Sequence, residues 1–416
     1  DLPVLMRRAF AEAVRAPAGP VFVSIPMDLL AEESIVDVPA RSAPVTPGVA
    51  DGIPAAAQVL AGAQRPVLIA GDGVGRENAV EELVAVAEAL GAAVYHQPMA
   101  DGINFPGNHP LYHGMPLPTT AAVRALLAEH DVAFVVGTHA FPAHHYTPDR
   151  PVPDGVRVVQ MDSDPAQLGR NFPVEVALYG ALPASLHALA DRLRGKVPDA
   201  QRRGRELGAA TRAARDEIDA SARKRWGPGP MDPLAAVHAI ATALPAGAVV
   251  IEEGITAGML LRRVLRQDRP GSYRHAIGGG LGWGIGAAIG TRMGAPDRPV
   301  VAVVGDGCAT FGLQALWTAA HHRIPVTFVV INNGEYRTLK DTLDRNKSRS
   351  TQLRRYVGLD LREPALDWRG AGAFFGVPVV RPAGCAELAE LVAESSTLDG
   401  PRLVEVPVTG HPGGSL

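Results

Sequence analysis

Pro299-Val300-Val301-Ala302-Val303-Val304-Gly305-Asp306-Gly307 is the stretch from which the fold can be read. Its first six residues form an unbroken apolar run, the pattern of a parallel strand buried on both faces, and the two glycines allow a sharp turn around Asp306. Phe311–His322 then suits a helix. Ile324-Pro325-Val326-Thr327-Phe328-Val329-Val330-Ile331 reads as a second buried strand, ending in Asn332-Asn333. A β-α-β unit returns its second strand parallel to the first, so Asp306 and Asn333 are expected at the same carboxyl-terminal edge of one sheet.

A carboxylate, an amide oxygen and a backbone carbonyl make half of an octahedral oxygen shell, and Mg²⁺ keeps the rest for phosphate and water. Gly305 and Gly307 leave room for a diphosphate against the backbone, where helix N-terminal N–H groups can receive its charge. An isolated G-D-G reads better as a tight turn with Asp306 as N-cap. The 27-residue separation of Asp306 from Asn333, with a β-α-β pattern between them, is more specific. It resembles the thiamine diphosphate (ThDP) motif, which opens with GDG and closes with NN. Upstream, PGSYRHAIGGGLGWGIGAAIG (Pro270–Gly290), and downstream, ALDWRGAGAFFGVP (Ala365–Pro378), match the same family in position and pattern. The chain is thus similar to the ThDP-dependent 2-oxo acid decarboxylases, in particular the benzoylformate decarboxylase group, within a wider set that includes pyruvate decarboxylase and acetohydroxyacid synthase.

That resemblance implies that Asp306, Asn333 and the main-chain carbonyl of Glu335 hold Mg²⁺ against the cofactor diphosphate, with Gly305 and Gly307 beside it and Ile255 and Thr256 nearby. It also implies that the backbone of Gly279 and Leu281 meets the aminopyrimidine, Leu281 supporting the bent shape that makes proton removal intramolecular. Read on its own, this glycine-rich segment is a close helix-sheet contact. The loop GTHAFPAHHYTP (Gly137–Pro148) resembles the one that sends a histidine into the active site, and His144 falls at that position. With an ordinary pKa near 6.5, such a histidine can act as general acid or base. Its plainer reading is a polar loop residue, and His145 is the alternative inward-facing candidate. A metal site built from His139, His144 and His145 lacks a spaced Cys or carboxylate to complete it. Glu252 and Glu253 read as an exposed strand end.

At 416 residues the chain exceeds one core, so two or three α/β domains are expected. Hydrophobic residues make up 47% and charged residues 20%, an ordinary globular balance. A formal net charge of −3 offers no electrostatic case for nucleic acid. No apolar run approaches the roughly 18 residues needed to cross a bilayer. Cys308 and Cys385 are the only cysteines, which reads as a reduced, cytoplasmic protein with two packed thiols. Asp1-Leu2-Pro3 leads directly into an amphipathic helix, so no signal peptide is expected.

The resemblance divides the chain as follows. Residues 1–30, with a helix over 5–16 and a strand over Gly19–Pro26, close a pyrimidine-binding (PYR) domain, most of which is expected to lie outside this chain together with its catalytic glutamate. Residues 31–52 form a linker rich in Pro, Ser, Val and acidic residues. Residues 53–195, with alternating helices and strands, form a doubly wound parallel-sheet middle domain, structural in decarboxylases and FAD-holding in some relatives. Its Gly71-Asp72-Gly73-Val74-Gly75 fails as a dinucleotide fingerprint, because Arg76 stands where a small residue is required. Residues 196–230 form a charged helical connector, and 231–416 the diphosphate- and Mg²⁺-binding domain.

The expected activity is ThDP- and Mg²⁺-dependent decarboxylation of a 2-oxo acid by a homodimer or homotetramer. The alternatives are an acetohydroxyacid synthase-like carboligase and a non-catalytic relative of the fold. Two departures bear on substrate. Arg337 stands where relatives have glycine, and Lys340–Arg355 carries Lys340, Arg345, Lys347, Arg349, Arg354 and Arg355 where the benzoylformate decarboxylase cover is apolar. If this basic segment is a lid, a 2-oxo acid with a second negative group is the expected preference.

Overall fold

The computed structural model describes residues 2–33, 35, 40, 43, 45–138, 141 and 150–410. They form two compact α/β units. One takes the chain up to Pro98 and from Pro116 to Gly204. The other takes Met99–Met115 and everything from Arg205.

In the first unit, β1 (Pro66–Ala70), β2 (Ala93–His96), β4 (Val132–Val136), β5 (Arg157–Asp162) and β6 (Val176–Tyr179) lie in the order β2-β1-β4-β5-β6, every pair parallel. A further short strand, β3, spans Tyr112–Gly114 within the Met99–Met115 segment of the second unit. All residues of β1 and β4 are buried, as their near-continuous apolar runs require of strands covered on both faces. Helix Thr120–Leu127, capped by the Thr119 hydroxyl, sets Val123 and Leu127 into a core with Val67, Ile69, Ala133 and Val135. The Gly71-Asp72-Gly73 turn has a packing role. A Cβ on Gly71 would stand 2.2 Å from the Gly137 carbonyl oxygen, so glycine is what lets the ends of β1 and β4 close on each other.

The second unit holds β7 (Val249–Glu253), β8 (Tyr273–His275), β9 (Val300–Gly305), β10 (Thr327–Asn332), β11 (Val379–Val380) and β12 (Arg402–Pro407). The order is β11-β12-β10-β9-β7-β8, again wholly parallel. The period-two alternation of strands sorts its apolar residues between two layers. Val250, Val301, Val303, Val329 and Val404 pack toward helices Pro233–Ala243, Ile255–Val264 and Cys385–Ala393. Val249, Ile251, Val300, Ala302, Val304, Phe328 and Leu403 pack with Ile285, Leu316 and Trp368 on the other face. Met99–Met115 is held in this unit by Arg215, whose guanidinium donates to the carbonyls of Gly107, Asn108, His109 and Tyr112.

Two sequence readings change. Gly19–Pro26, read as a strand, has no ladder partner among the described residues and forms no regular element, while the preceding helix, Leu2–Val14, buries none of its residues. The expected helix over Phe311–His322 is shorter, Ala315–His321, because a separate turn of helix, Asp306–Ala309, follows β9 directly. Within the charged connector, Ala200–Lys224 is one continuous helix of 25 residues.

Candidate cofactor and metal site

β9 and β10 run side by side with Gly305 opposite Ile331, so the turns that follow them emerge together. Asp306 is 3% exposed. Its Oδ1 accepts from the Gly307 N–H at 2.8 Å and its Oδ2 from the Gly334 N–H at 2.7 Å, which joins the GDG turn to the loop after the second strand. Burial pushes the carboxyl pKa up, while the surrounding backbone N–H groups pull it back. Asn333 Oδ1 accepts from the Glu335 N–H at 2.9 Å, and Asn332 Nδ2 donates to Glu405 Oε1 at 2.9 Å.

The loop Asn333–Tyr336 is fastened from outside. Tyr336 N–H donates to the Leu359 carbonyl and Leu361 N–H to the Gly334 carbonyl, at 2.9 and 2.8 Å, around an antiparallel bridge between Glu335 and Asp360. Arg362 donates to the Asn333 carbonyl at 3.1 Å. The Glu335 carboxylate is buried and accepts from Lys340 Nζ at 2.5 Å, and the same ammonium reaches Asp360 Oδ1 at 2.5 Å. Arg337 is paired with Asp341 at 2.7 Å and lies 3.7 Å from Glu335. Arg337 and Lys340 are thus both engaged by carboxylates, whereas Arg345, Lys347, Arg349, Arg354 and Arg355 of the same stretch are exposed.

Ile255 and Thr256 open the helix Ile255–Val264, with Ile255 44% exposed. This helix start lies beside the GDG turn, a Cβ on Gly254 falling 3.8 Å from the Gly305 nitrogen. The turn before it is set by Glu252, whose Oε1 accepts from the Gly254 N–H at 2.7 Å. Glu252 Oε2 is gripped by Arg262 at 2.5 Å, the Tyr273 hydroxyl at 2.8 Å and His275 at 3.3 Å. Burial alone would raise this carboxyl, but Arg262, with His275 and Tyr273, overrides it and holds the pKa at about 2.

Gly279 and Leu281 lie in the segment between β8 and helix Trp283–Gly294. Open space surrounds Gly279, and Leu281 is 38% exposed. The segment is pinned at Gly282, where φ is +91° and a Cβ would stand 2.6 Å from the Phe311 backbone. Both the backbone angle and the space exclude other residues there. Glu253 completes the anchor: its carboxylate accepts from the N–H groups of Gly282 at 2.6 Å, Trp283 at 3.2 Å and Gly284 at 2.7 Å, capping the helix. Glu252 and Glu253, read as an exposed strand end, are therefore both buried. In a strand covered on both faces, two consecutive carboxylates must both point into protein, and that was the signal available in the sequence.

Cys308 is buried, and burial together with Glu253 and Asp306 pushes its thiol up to about 12, in keeping with a packed, unreactive cysteine. His144, with His139 and His145, lies outside the described residues. Among the described residues no three His, Cys, Asp or Glu side chains are grouped to hold a metal ion. A cation at Asp306 would thus meet a single carboxylate plus the neutral oxygens of Asn333 and Glu335. Such a sparse, hard-oxygen set fits Mg²⁺ that brings its own phosphate and water.

Comparison with known proteins agrees with this geometry. Residues 53–189 match the central domain of thiamine pyrophosphate enzymes, and residues 256–406 match their C-terminal TPP-binding domain. Benzoylformate decarboxylase of Pseudomonas aeruginosa is 30% identical over 411 residues, spanning 98% of this chain and 74% of that protein. Acetolactate synthase of Mycobacterium bovis is 30% identical over 344 residues, 80% of this chain and 55% of the relative. The thiamine diphosphate-dependent 4-hydroxybenzoylformate decarboxylase of Rhodococcus jostii RHA1 superposes with a TM-score of 0.83 at 26% identity, covering 99% of this chain and 75% of its own. With both ThDP-enzyme domains matched and a 30% identical relative aligned over 98% of this chain, the chain belongs to the thiamine diphosphate-dependent enzyme family that includes benzoylformate decarboxylase and acetolactate synthase.

Proposed function

We propose that the protein is a ThDP- and Mg²⁺-dependent enzyme that decarboxylates a 2-oxo acid non-oxidatively to an aldehyde, in the manner of the benzoylformate decarboxylases. The observation that carries this reading is the meeting of Asp306 with the loop after Asn333, within a chain aligned over 98% of its length with a benzoylformate decarboxylase. Asp306, the Asn333 amide oxygen and the Glu335 carbonyl would hold Mg²⁺. The backbone at Gly305 and Gly307 and the helix start at Ile255 and Thr256 would receive the diphosphate. The backbone of Gly279 would meet the aminopyrimidine, and Leu281 would keep it bent over the ring that reacts. When bound, the cofactor supplies an electron sink for the pair left as carbon dioxide departs. His144 is the residue this reading assigns to proton transfer beside the substrate. The same reading makes the protein a cytoplasmic homodimer or homotetramer.

A second reading keeps the site and changes the fate of the substrate. The acetolactate synthase relative favours carboligation, in which the decarboxylated unit joins a second carbonyl compound. Incubating the purified full-length protein, its pyrimidine-binding domain included, with ThDP, Mg²⁺ and either benzoylformate, pyruvate or a dicarboxylic 2-oxo acid, followed by product identification, separates the two. Free aldehyde supports the decarboxylase, and an acetohydroxy acid supports the ligase. Absence of carbon dioxide release from every 2-oxo acid tried would overturn both.

A further inference from the structure

Lys340 belongs to the helix Arg337–Arg345 and is its one buried residue, 7% exposed. A lysine on such a polar helix has water within reach, and sequestering its ammonium is unfavourable unless well-placed partners offset it. Here the partners are Glu335 Oε2 and Asp360 Oδ1, each 2.5 Å from Nζ, with the Tyr356 ring centroid 5.6 Å away. Glu335 and Asp360 face each other across the antiparallel bridge, so one ammonium clamps both sides of that bridge. The clamped loop is the one in which Asn333 turns its amide oxygen to the Glu335 N–H and Gly334 donates to Asp306.

We propose that Lys340 is a positioning residue that holds the Asn333–Glu335 loop in the form that presents the Asn333 amide oxygen and the Glu335 main-chain carbonyl to Mg²⁺. The proposal rests on the cofactor reading above. It also separates the two halves of Glu335, since the carboxylate anchors Lys340 and only the main chain addresses the metal. Without Lys340, a buried carboxylate would face the 3.7 Å contact to Arg337 as its remaining cation among the described residues, and the loop would turn to rehydrate it.

The test is calorimetric titration of Mg²⁺ at saturating ThDP, on the whole protein and on Lys340→Met, Lys340→Met/Glu335→Gln and Asp360→Asn. Lys340→Met is expected to weaken Mg²⁺ about tenfold or more, the range found for losing an outer partner of a metal ligand. The double variant is expected to recover most of that loss, because no buried carboxylate remains unpaired while the main-chain carbonyl persists. Asp360→Asn, at a site whose side chain is 57% exposed, tests the clamp even if Lys340→Met does not fold. It should weaken Mg²⁺ by a few fold with its melting temperature nearly unchanged. Unaltered Mg²⁺ affinity in both Lys340→Met and Asp360→Asn, beside a wild type that binds, would overturn the proposal. So would a double variant as weak as the single, since Glu335 would then act through its side chain. A wild type that takes up no Mg²⁺ with ThDP would instead overturn the cofactor reading, and this proposal with it.

Discussion

Asp306 and Glu252 are buried carboxylates in the same unit, and their surroundings give them opposite behaviour. Asp306 has backbone N–H donors and a raised pKa, so a dication facing it would restore the charge balance that burial disfavours. Asp306→Asn keeps the acceptor and the shape but removes the charge. It is expected to abolish Mg²⁺-dependent ThDP binding while leaving far-ultraviolet circular dichroism intact, and undiminished ThDP affinity by calorimetry would falsify the metal assignment. Glu252 is already balanced by Arg262. Because its folded pKa, about 2, lies below the ordinary 4.5, its stabilising effect is complete above pH 4.5 and disappears as pH falls toward 2. Glu252→Gln should cost about 3–5 kcal/mol at pH 7 by leaving Arg262 buried without its counter-charge. Urea unfolding at pH 7, 4 and 3 should find the gap between variant and wild type narrowing through that window.

At the scale of elements, the carboxyl-terminal end of a parallel strand is where both units place polar groups, with different consequences. β5 ends in Asp162, a buried carboxyl that accepts from the Asp164 N–H at 2.8 Å and is pushed up to about 7, chiefly by burial. A folded pKa raised from 3.8 means that the fold favours the protonated acid. That advantage is present below pH 3.8 and is lost as pH rises through 7. Asp162→Asn retains an acceptor for the Asp164 N–H and carries no charge. It should raise the melting temperature at pH 8 and leave it unchanged near pH 4; a variant less stable than wild type at pH 8 would show the ionised carboxylate to be a net contributor. In the second unit, the end of β7 commits Glu252 to the start of one helix and Glu253 to the start of another, so that one strand end sets both the Ile255 turn and the Gly279–Leu281 segment.

For the molecule as a whole, the candidate site residues that are described all lie in the second unit, so cofactor binding should act on that unit first. At ThDP and Mg²⁺ concentrations one hundred times the dissociation constant, linkage predicts about 2.7 kcal/mol of added stability. Differential scanning calorimetry should find the transition of the second unit moved upward and ThDP without Mg²⁺ much less effective. An equal shift from ThDP with and without the metal would count against the Asp306 site. Among the described residues no helix is long and apolar enough to cross a membrane.

Residues 299–333 were legible because everything they needed was local. An apolar run long enough for a buried strand, two glycines at a turn and a second such run bring Asp306 and Asn333 to one edge through chain geometry alone, and the strands β9 and β10 lie there in parallel register. Gly19–Pro26 carries an equally good strand pattern and forms none, because a strand exists only through the neighbour that satisfies its backbone. The partners of the charged residues were likewise illegible. Glu252 is held by Tyr273 and His275, more than twenty residues away, and Lys340 by Asp360, twenty residues on, so counting charges along the segment could not show that Lys340 is closed into an ion cluster. The sequence by itself determined two parallel-sheet units and the edge where the chemistry gathers, since hydrophobic burial and strand direction follow from the order of residues. Only the tertiary structure decided how the buried charges are paired, because a charge leaves water only where the fold has already brought its partner.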